Sequence, residues 1–468
     1  MKKKRYFKRY TYRFLCSCVL YAFALVCFNV AWFGFVVEHN QTGHLLGYGN
    51  LAMSLLVYLG FFIYFHQWIG SGKLGVERKA KSIAGIILTV LATNFVEIFV
   101  SMAITGQFRF AWDFIKIYSV MSLIQAGTMI ILLIIMIDVY RKIIPPIKML
   151  VIEGDYRNNL ADKVAGLGHK YRVSKVIHID QPEEQLYEEI KNSEAVLLND
   201  IVAEKQNDIV KKCFELDKRV YVVPKLSEII LRTSENLNVV DTPLYLCRNL
   251  GIKWWQAALK RSCDIVFSFL ALVVLSPLFL ITMLAIKLED GGPVFFRQER
   301  VTLRGKRFNI IKFRSMIVDA EKDGKPHPAG EKDDRITKVG HIIRACRIDE
   351  LPQLFNILRG DMSIVGPRPE RCEFVEKYSQ EIPEFTFRHK VKGGLTGYAQ
   401  VYGKYNTSAL DKLKLDMIYI TNYSLLLDAQ ILFETLKILF QKESTEGFQE
   451  ERIQEIMAFT YNDAKERG

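Results

Sequence analysis

A chain of 468 residues, half of them hydrophobic, is long enough for two or three domains and is more apolar than a soluble enzyme requires. Its 63 Lys and Arg residues outnumber its 51 Asp and Glu residues, and the net charge of +12 suits an anionic lipid or an anionic substrate. The eight cysteines include no CxxC pair, which argues against a zinc site or a disulfide framework and predicts a reducing environment.

Four long apolar segments follow a basic N-terminus and predict a membrane domain over residues 1–145. These segments cover residues 14–37, 51–69, 82–104 and 117–137. Lys and Arg are concentrated before the first segment, between the second and third, and after the fourth, so the positive-inside rule predicts four spans with both ends in the cytoplasm. The predicted partner of the positive charge is therefore the lipid bilayer and not nucleic acid. Asn94 and Glu97 lie within the third segment, where helix packing is favoured over a functional site.

Residues 146–250 alternate short apolar runs with amphipathic stretches, which predicts a small parallel α/β domain of Rossmann type. Strands are expected at residues 148–153, 173–179, 195–198 and 220–223, with helices at 158–167, 183–191 and 205–216. The first turn contains only Gly154, whereas a dinucleotide fingerprint needs three glycines. A structural or regulatory role is therefore favoured over nucleotide binding, and residues 237–248 are expected to form a linker.

An uncharged run at residues 265–286 is long enough to span a bilayer, but Ser276 and Pro277 interrupt it near its middle. Proline removes a backbone hydrogen bond and bends a helix. The segment that follows is strongly basic, and the positive-inside rule keeps it in the cytoplasm. We therefore expect a re-entrant membrane helix over residues 262–288, in preference to a straight span with a proline kink.

Two adjacent carboxylates, Asp349 and Glu350, precede a run with helical apolar spacing, where a carboxylate commonly caps a helix. Five arginines lie close to the pair in sequence: Arg344, Arg347, Arg359, Arg368 and Arg371. Such a cluster suits an anionic substrate together with Mg²⁺, because Mg²⁺ takes one or two carboxylates along with substrate phosphates. Arginine matches phosphate geometry through its planar fork. Helix capping alone is the alternative role for Asp349.

Residues from about 260 to 448 resemble the bacterial polyprenyl-phosphate sugar-1-phosphate transferases, the monotopic phosphoglycosyl transferases. The matching segments occur in family order: KRSCD at 260–264, SP at 276–277, GPVFFRQ at 292–298, KFRSM at 312–316, DRITKVG at 334–340, DELPQ at 349–353, GDMSIVGPRP at 360–369 and GYAQV at 397–401. The resemblance implies transfer of a sugar-1-phosphate from a UDP-sugar to undecaprenyl phosphate. That reaction is the membrane-committed first step of exopolysaccharide, capsule or O-antigen synthesis.

The resemblance also implies roles for individual residues. Asp349 matches the nucleophile that forms a covalent phosphosugar intermediate, and Glu350 matches its partner, with Mg²⁺ assigned to these two carboxylates. The substrate-binding candidates are the matched residues Arg344, Arg368, Lys312, Arg314, Asp416 and Tyr419. Ser276 and Pro277 match the break in the re-entrant membrane helix.

Taken together, these features predict a multi-pass protein of the bacterial inner (cytoplasmic) membrane. Its parts are a four-helix transmembrane bundle (1–145), a Rossmann-like cytoplasmic domain (146–250), a mainly α monotopic catalytic domain on the cytoplasmic face (251–448) and a C-terminal tail (449–468). The arrangement is compatible with a homodimer.

Two other functions remain open at this point. A membrane-anchored nucleotide-sugar dehydratase or epimerase needs a Tyr-x-x-x-Lys pair, and Tyr171 with Lys175 and Tyr187 with Lys191 have that spacing. The missing glycines argue against it. A non-enzymatic scaffold for polysaccharide assembly is the second alternative, and the intact pair of Asp349 and Glu350 argues against that.

Overall fold

The computed structural model describes residues 2–39, 48–106, 108–154, 160–247, 251–318, 333–403 and 407–439. The chain forms two compact units, residues 1–224 and 225–468. The predicted α/β domain extended to residue 250, whereas residues 225–247 pack with the second unit. The predicted C-terminal tail at 449–468 lies outside the described residues.

The first unit begins with four helices: α1 (Lys2–His39), α2 (Tyr48–Trp68), α3 (Lys79–Thr105) and α4 (Ala111–Ile143). Within the described residues, α1, α3 and the segment containing α4 are long and apolar enough to cross a membrane. The apolar part of α2, Ala52–Trp68, falls short of that length. The length and hydropathy of these helices identify a membrane protein.

The interior of the four helices combines stacked aromatic rings with a polar network. Phe28 of α1 stacks on Tyr58 of α2 with 4.3 Å between ring centroids. The Asn94 amide donates to Ser122 Oγ (2.8 Å) and to Gln125 Oε1 (3.0 Å), and Gln125 Nε2 donates to the Tyr58 hydroxyl (2.8 Å). These bonds join α2, α3 and α4, as expected for a helix-packing role of Asn94.

A parallel four-stranded sheet follows, with strand order β2-β1-β3-β4. Its elements are β1 (Ile147–Glu153), α5 (Leu160–Ala165), β2 (Tyr171–His178), α6 (Glu183–Asn192), β3 (Ala195–Asn199), α7 (Ala203–Glu215) and β4 (Arg219–Val222). Apolar side chains of the alternate strand positions pack on helices at both faces, which explains the uninterrupted apolar runs in the sequence.

The end of β1 approaches β3 closely at Gly154. Its amide donates to the Asn199 carbonyl at 2.9 Å, and a Cβ at this position would lie 2.0 Å from the Asp200 carbonyl oxygen. The single glycine is therefore required for backbone packing between the two strands.

The second unit begins with α8 (Leu226–Leu231) and a hairpin of β5 (Glu235–Val239) and β6 (Thr242–Leu246). Ile229 of α8 lies in the same apolar cluster as Phe385, Leu413 and Met417. The segment predicted as a linker thus contains most of an antiparallel hairpin, a local pairing through the turn between Val239 and Thr242.

A bent pair of helices carries the predicted membrane break. The helices α9 (Trp254–Val274) and α10 (Ser276–Asp290) meet at Leu275 with a bend of 62°. Ser276 and Pro277 form the first residues of α10, where proline loses no helical hydrogen bond. The helices therefore bend where Ser276 and Pro277 predict an interruption, and the re-entrant course through a membrane stays a prediction.

Polar side chains at the beginning of α9 attach this apolar pair to the rest of the unit. Arg261 Nη2 donates to the Leu358 carbonyl at 2.7 Å. Asp264 accepts from Ser363 Oγ (3.1 Å) and from the Ile364 amide (3.0 Å). Lys260 forms a buried ion pair with Asp428 at 2.6 Å. The matched KRSCD segment therefore fixes one end of the bent helix pair to the candidate catalytic region.

The remainder of the second unit is mainly helical. It contains the antiparallel pair β7 (Phe295–Val301) and β8 (Arg307–Phe313), then α11 (Lys338–Ala345), α12 (Gln353–Arg359), β9 (Ser363–Val365), α13 (Cys372–Glu381), β10 (Gly394–Thr396), α14 (Tyr398–Tyr402), α15 (Ala409–Thr421) and α16 (Leu425–Leu439). The short strands β9 and β10 pair in parallel, and the loop after β9 carries Arg368.

Candidate active site

The two carboxylates lie on a short 3-10 turn, Ile348–Glu350, between α11 and α12. Arg347 directly before it has a left-handed backbone with φ of 59°, which separates the turn from α11. No side chain caps the N-terminus of α12, whose N-cap residue is Pro352. Asp349 therefore has no helix-capping role in this structure.

The turn is held against β8 by packing and by one amide side chain. Leu354 and Ile357 of α12 pack with Phe308 and Ile310 of β8. Asn356 accepts from the Ile311 amide at 3.0 Å and donates to the Asn309 carbonyl at 2.8 Å. Because β8 also carries Lys312, these contacts place that lysine beside the turn. Sequence periodicity gave no reason to single out Asn356.

Glu350 is paired with two cations on the same oxygen. Lys312 Nζ donates to Glu350 Oε1 at 3.0 Å, and Arg368 Nη2 donates to the same oxygen at 2.9 Å. Only 12% of the Glu350 side chain is exposed. Burial by itself raises the pKa of Glu350, but the charges of Arg368 and Lys312 outweigh that effect and hold the pKa well below its usual range. Glu350 is thus an anion that organises two basic side chains.

Asp349 has the opposite environment although it is the next residue. It is half-buried, and within the described ranges its carboxylate forms no hydrogen bond or ion pair. Burial raises the pKa of Asp349, against the lowering effect of the Lys312 charge. Two neighbouring carboxylates whose pKa values are displaced in opposite directions are typical of sites that assign them different roles.

The structure brings three of the predicted basic residues to this pair. Lys312 and Arg368 contact Glu350 directly, and the Arg368 side chain remains 40% exposed. Arg344 lies in the last turn of α11, and its charge lowers the pKa of Asp349. Arg314 lies elsewhere: it is buried and pairs with Asp290 at the end of α10. Its guanidinium therefore links β8 to the bent helix pair.

Asp416 and Tyr419 of α15 lie in the core of the unit and not at the carboxylate pair. Each is 1% exposed. Asp416 accepts two bonds from Arg388, and the Tyr419 hydroxyl donates to Asp428 at 2.7 Å. Neither side chain is accessible to a substrate in this structure, because both are almost fully buried. The expectation that they bind substrate rests on the family match, and such a match contains no information on burial.

The donor set around Asp349 fits a divalent metal only together with a substrate. Among the described residues, no group of three or more His, Cys, Asp or Glu side chains is arranged to hold a metal ion. Two adjacent carboxylates nonetheless agree with the way Mg²⁺ binds, since it takes one or two carboxylates and completes its shell with phosphate oxygens and water. Glu350 Oε2 and the Asp349 carboxylate are the atoms left for that purpose.

Comparison with known proteins gives the family. A family model described as bacterial sugar transferase matches residues 255–442. A UDP-glucose:undecaprenyl-phosphate glucose-1-phosphate transferase from Caulobacter vibrioides is 42% identical over 191 residues, which are 40% of this chain and 71% of the relative. The chain belongs to the bacterial sugar transferase family. The carboxylate pair and its basic partners all lie within the matched residues.

Two longer relatives match over part of their length. A UDP-N-acetylgalactosamine-undecaprenyl-phosphate N-acetylgalactosaminephosphotransferase from Aeromonas hydrophila is 38% identical over 256 residues, 52% of this chain and 58% of the relative. A UDP-glucose:undecaprenyl-phosphate glucose-1-phosphate transferase from Klebsiella pneumoniae is 42% identical over 210 residues, 44% of each chain. The match to these bacterial sugar transferases thus spans about half of their length.

Replacing each carboxylate with its amide should change stability in opposite directions at neutral pH. Glu350→Gln leaves Lys312 and Arg368 without their counter-charge, and we expect it to lower the free energy of unfolding by about 3 kcal/mol, the scale for breaking a buried ion pair. Asp349→Asn removes a carboxylate whose pKa is raised by burial, so the free energy of unfolding should increase. Thermal unfolding in detergent, with a chelator present, measures both changes.

The stabilisation that Glu350 contributes should depend on pH in one direction. Because its pKa is lower in the folded chain, the stabilisation is present above the pKa of the unfolded chain and is lost as the pH falls through the folded value. The difference between wild type and Glu350→Gln should therefore shrink in acid. Glu376→Gln, which changes an exposed carboxylate of α13, is the matched control and should have no effect. Equal destabilisation by the Asp349 and Glu350 variants would contradict this description of the pair.

Proposed function

We propose that the chain transfers a sugar-1-phosphate from a UDP-sugar to undecaprenyl phosphate, through a covalent phosphosugar intermediate on Asp349. The observation that carries the proposal is the Asp349 carboxylate, which has no partner in the described part of the chain and lies next to Glu350. Glu350 in turn holds Arg368 and Lys312 in place. The names of the relatives support the donor and acceptor classes, since they specify UDP-linked sugars and undecaprenyl phosphate.

The first half-reaction begins with attack by an Asp349 carboxylate oxygen on the phosphorus that bears the sugar. A bond forms between that oxygen and phosphorus, and the bond to the bridging oxygen of the diphosphate breaks. UMP leaves with the electron pair of that bond. A carboxylate nucleophile divides one difficult transfer into two easier ones, and the absence of a competing partner leaves its lone pairs free.

In the second half-reaction, an oxygen of undecaprenyl phosphate attacks the same phosphorus. The acyl-phosphate bond breaks, its electron pair returns to the Asp349 carboxylate, and undecaprenyl diphosphate sugar is released. Of the two cations that contact Glu350, Arg368 is the more exposed, at 40% against 18% for Lys312. Its fork suits a phosphate while one nitrogen remains on Glu350. Fixed cations of this kind offset the charge of the phosphate as bonds break.

A magnesium ion at this site would be held by Asp349 and Glu350 together with substrate phosphates. When bound, it would supply further neutralisation of phosphate charge. Lys312 has a separate contribution from the protein itself: its ammonium group contacts Glu350 at 3.0 Å and orients that carboxylate. Its burial makes it a support of the site and not a direct phosphate ligand.

The membrane arrangement that suits this reaction has four spans in the first unit and both ends in the cytoplasm. The bent pair α9 and α10 would enter the inner membrane from the cytoplasmic side and return, since Ser276 and Pro277 interrupt it and a basic segment follows. The candidate catalytic unit would then rest on the cytoplasmic face of the bilayer, where the acceptor phosphate lies. The parallel sheet would be a Rossmann-like domain with a structural or regulatory role.

Turnover with a panel of donors tests the proposed reaction. Purified protein in nanodiscs with Mg²⁺ and undecaprenyl phosphate should release UMP and form a sugar-labelled lipid from at least one UDP-sugar. UDP-glucose and UDP-N-acetylgalactosamine are the first choices, given the names of the relatives. Asp349→Asn should lower turnover by at least about 10³-fold, the scale of losing a nucleophile.

The control for this assay is Glu376→Gln, which leaves the carboxylate pair intact and should keep full turnover. Normal turnover by Asp349→Asn would exclude the assigned nucleophile. An active wild type that transfers sugar without phosphate to another acceptor would exclude the reaction class.

Accessibility of residue 306 tests the re-entrant arrangement. Lys306→Cys should remain unlabelled by a membrane-impermeant maleimide in intact spheroplasts and should become labelled after lysis, because the basic segment after α10 stays in the cytoplasm. Peptide mass identifies the modified position and separates it from the native cysteines. Asn40→Cys, in the predicted external loop, is the matched positive control. Labelling of position 306 in intact spheroplasts would show that α9 and α10 cross the membrane.

A further inference from the structure

The loop that carries Arg368 is fixed through its own backbone carbonyls. Arg388 Nη2 donates to the Arg368 carbonyl at 3.0 Å, and Arg300 Nη1 donates to the Pro369 carbonyl at 3.3 Å. The Val301 amide donates to the Glu370 carbonyl at 3.1 Å. Three consecutive carbonyls therefore have donors from two different parts of the unit, which leaves the loop little freedom to move the base of the Arg368 side chain.

Arg388 is itself oriented by a buried carboxylate. It lies on the 3-10 segment Pro383–Lys390 and is 3% exposed. Its Nε and Nη2 donate to Asp416 Oδ2 at 3.1 and 2.7 Å, and its guanidinium lies 4.9 Å from the centre of the Phe385 ring. Nη2 is shared between Asp416 and the Arg368 carbonyl. The direction of that nitrogen is thus set by Asp416 and transmitted to the loop.

Arg300 acts on the same loop from β7. Its Nη2 donates to Gln298 Oε1 at 2.6 Å, which turns Nη1 towards Pro369. Burial, together with the charge of Arg368, lowers the pKa of Arg300 to about 10. Arg300 is half-buried and Arg388 is almost fully buried, and each donates a hydrogen bond to a carbonyl of the loop. Both guanidinium groups therefore act on the geometry of the loop and not only through their charge.

We propose that Arg388, oriented by Asp416, is a positioning residue for the transfer reaction and acts through the backbone of Arg368. Arg300 supports the same loop as a second positioning residue. The inference rests on the proposed function and explains why Asp416 matches a family motif although it is buried. Neither guanidinium touches Glu350 in the structure, so their hydrogen bonds act on the phosphate site through the loop that carries Arg368. Arg388 Nη1 also lies 3.7 Å from the Glu370 carboxylate of the same loop.

A planar fork is essential to this role. Arg388 holds Asp416 and a carbonyl at once through two of its nitrogens, which a single ammonium group does not reproduce. Arg388→Lys keeps the charge and removes the fork, so it separates geometry from electrostatics. A displacement of about 1 Å at a reacting group can lower the rate by about 10²-fold.

The test is a double-mutant cycle with Arg368 measured in the UDP-sugar assay. Arg388→Lys should lower kcat/KM by about 10- to 100-fold in the wild-type background. In the Arg368→Ala background the same change should lower kcat/KM by less than about twofold, because a residue that acts only through Arg368 has nothing left to position. A purely structural residue would lower activity by the same factor in both backgrounds.

The matched control is Arg307→Lys, which changes an exposed arginine at the start of β8 and should preserve kcat/KM. If Arg388→Lys does not fold, Asp416→Asn and Arg300→Lys are taken through the same cycle and read by the same criterion. Equal losses in both backgrounds, or no loss in the wild-type background, would overturn the proposal. Failure of the wild type to use any UDP-sugar is a different result, and it would overturn the proposed function itself.

Discussion

The shared ion pair on Glu350 Oε1 is the contact on which the candidate site depends. It joins Lys312 of β8, the 3-10 turn and Arg368 of the loop after β9, three segments that are separate in sequence. In a mostly buried setting, removal of the Glu350 carboxylate leaves two cations without compensation, which costs more than the ion pairs contribute to stability. The positions of Lys312 and Arg368 are therefore set by one carboxylate, and the carboxylate of its neighbour Asp349 has no hydrogen-bond or ion-pair partner among the described residues.

In the same unit, polar contacts attach the apolar bent pair α9 and α10 to the candidate catalytic region. The first turns of α9 place Lys260, Arg261 and Asp264 against groups of the core, where each is paired or hydrogen-bonded. Beyond these residues the two helices expose mainly apolar side chains. Helices with such exposed apolar faces suit the apolar environment of a membrane. The contacts of Lys260, Arg261 and Asp264 lie at the beginning of α9, the end attached to the candidate site.

Much of this architecture follows from the sequence, because it depends on local patterns. Hydropathy and Pro277 predict the apolar helices and the break, and alternating apolar runs predict the parallel sheet. The adjacency of Asp349 and Glu350 identifies the site. Other features arise from contacts between distant segments: the choice of Arg388 from the three consecutive basic residues Arg388, His389 and Lys390, and the burial of Asp416 and Tyr419. The hairpin in the expected linker is a local pairing that the linker interpretation missed. The two residues between α11 and the 3-10 turn, Cys346 and the left-handed Arg347, also give no signal in hydrophobic periodicity.

The covalent role of Asp349 is the central claim, and intact mass measurement of the protein with donor alone tests it most directly. Incubation with the UDP-sugar it uses and Mg²⁺, without lipid acceptor, should add the mass of one phosphosugar to the chain, with the modified peptide containing Asp349. The added mass should disappear once undecaprenyl phosphate is supplied, since the second half-reaction regenerates the free carboxylate. A chain that turns over donor and acceptor together but never gains this mass, or an adduct that persists in Asp349→Asn, would contradict the account.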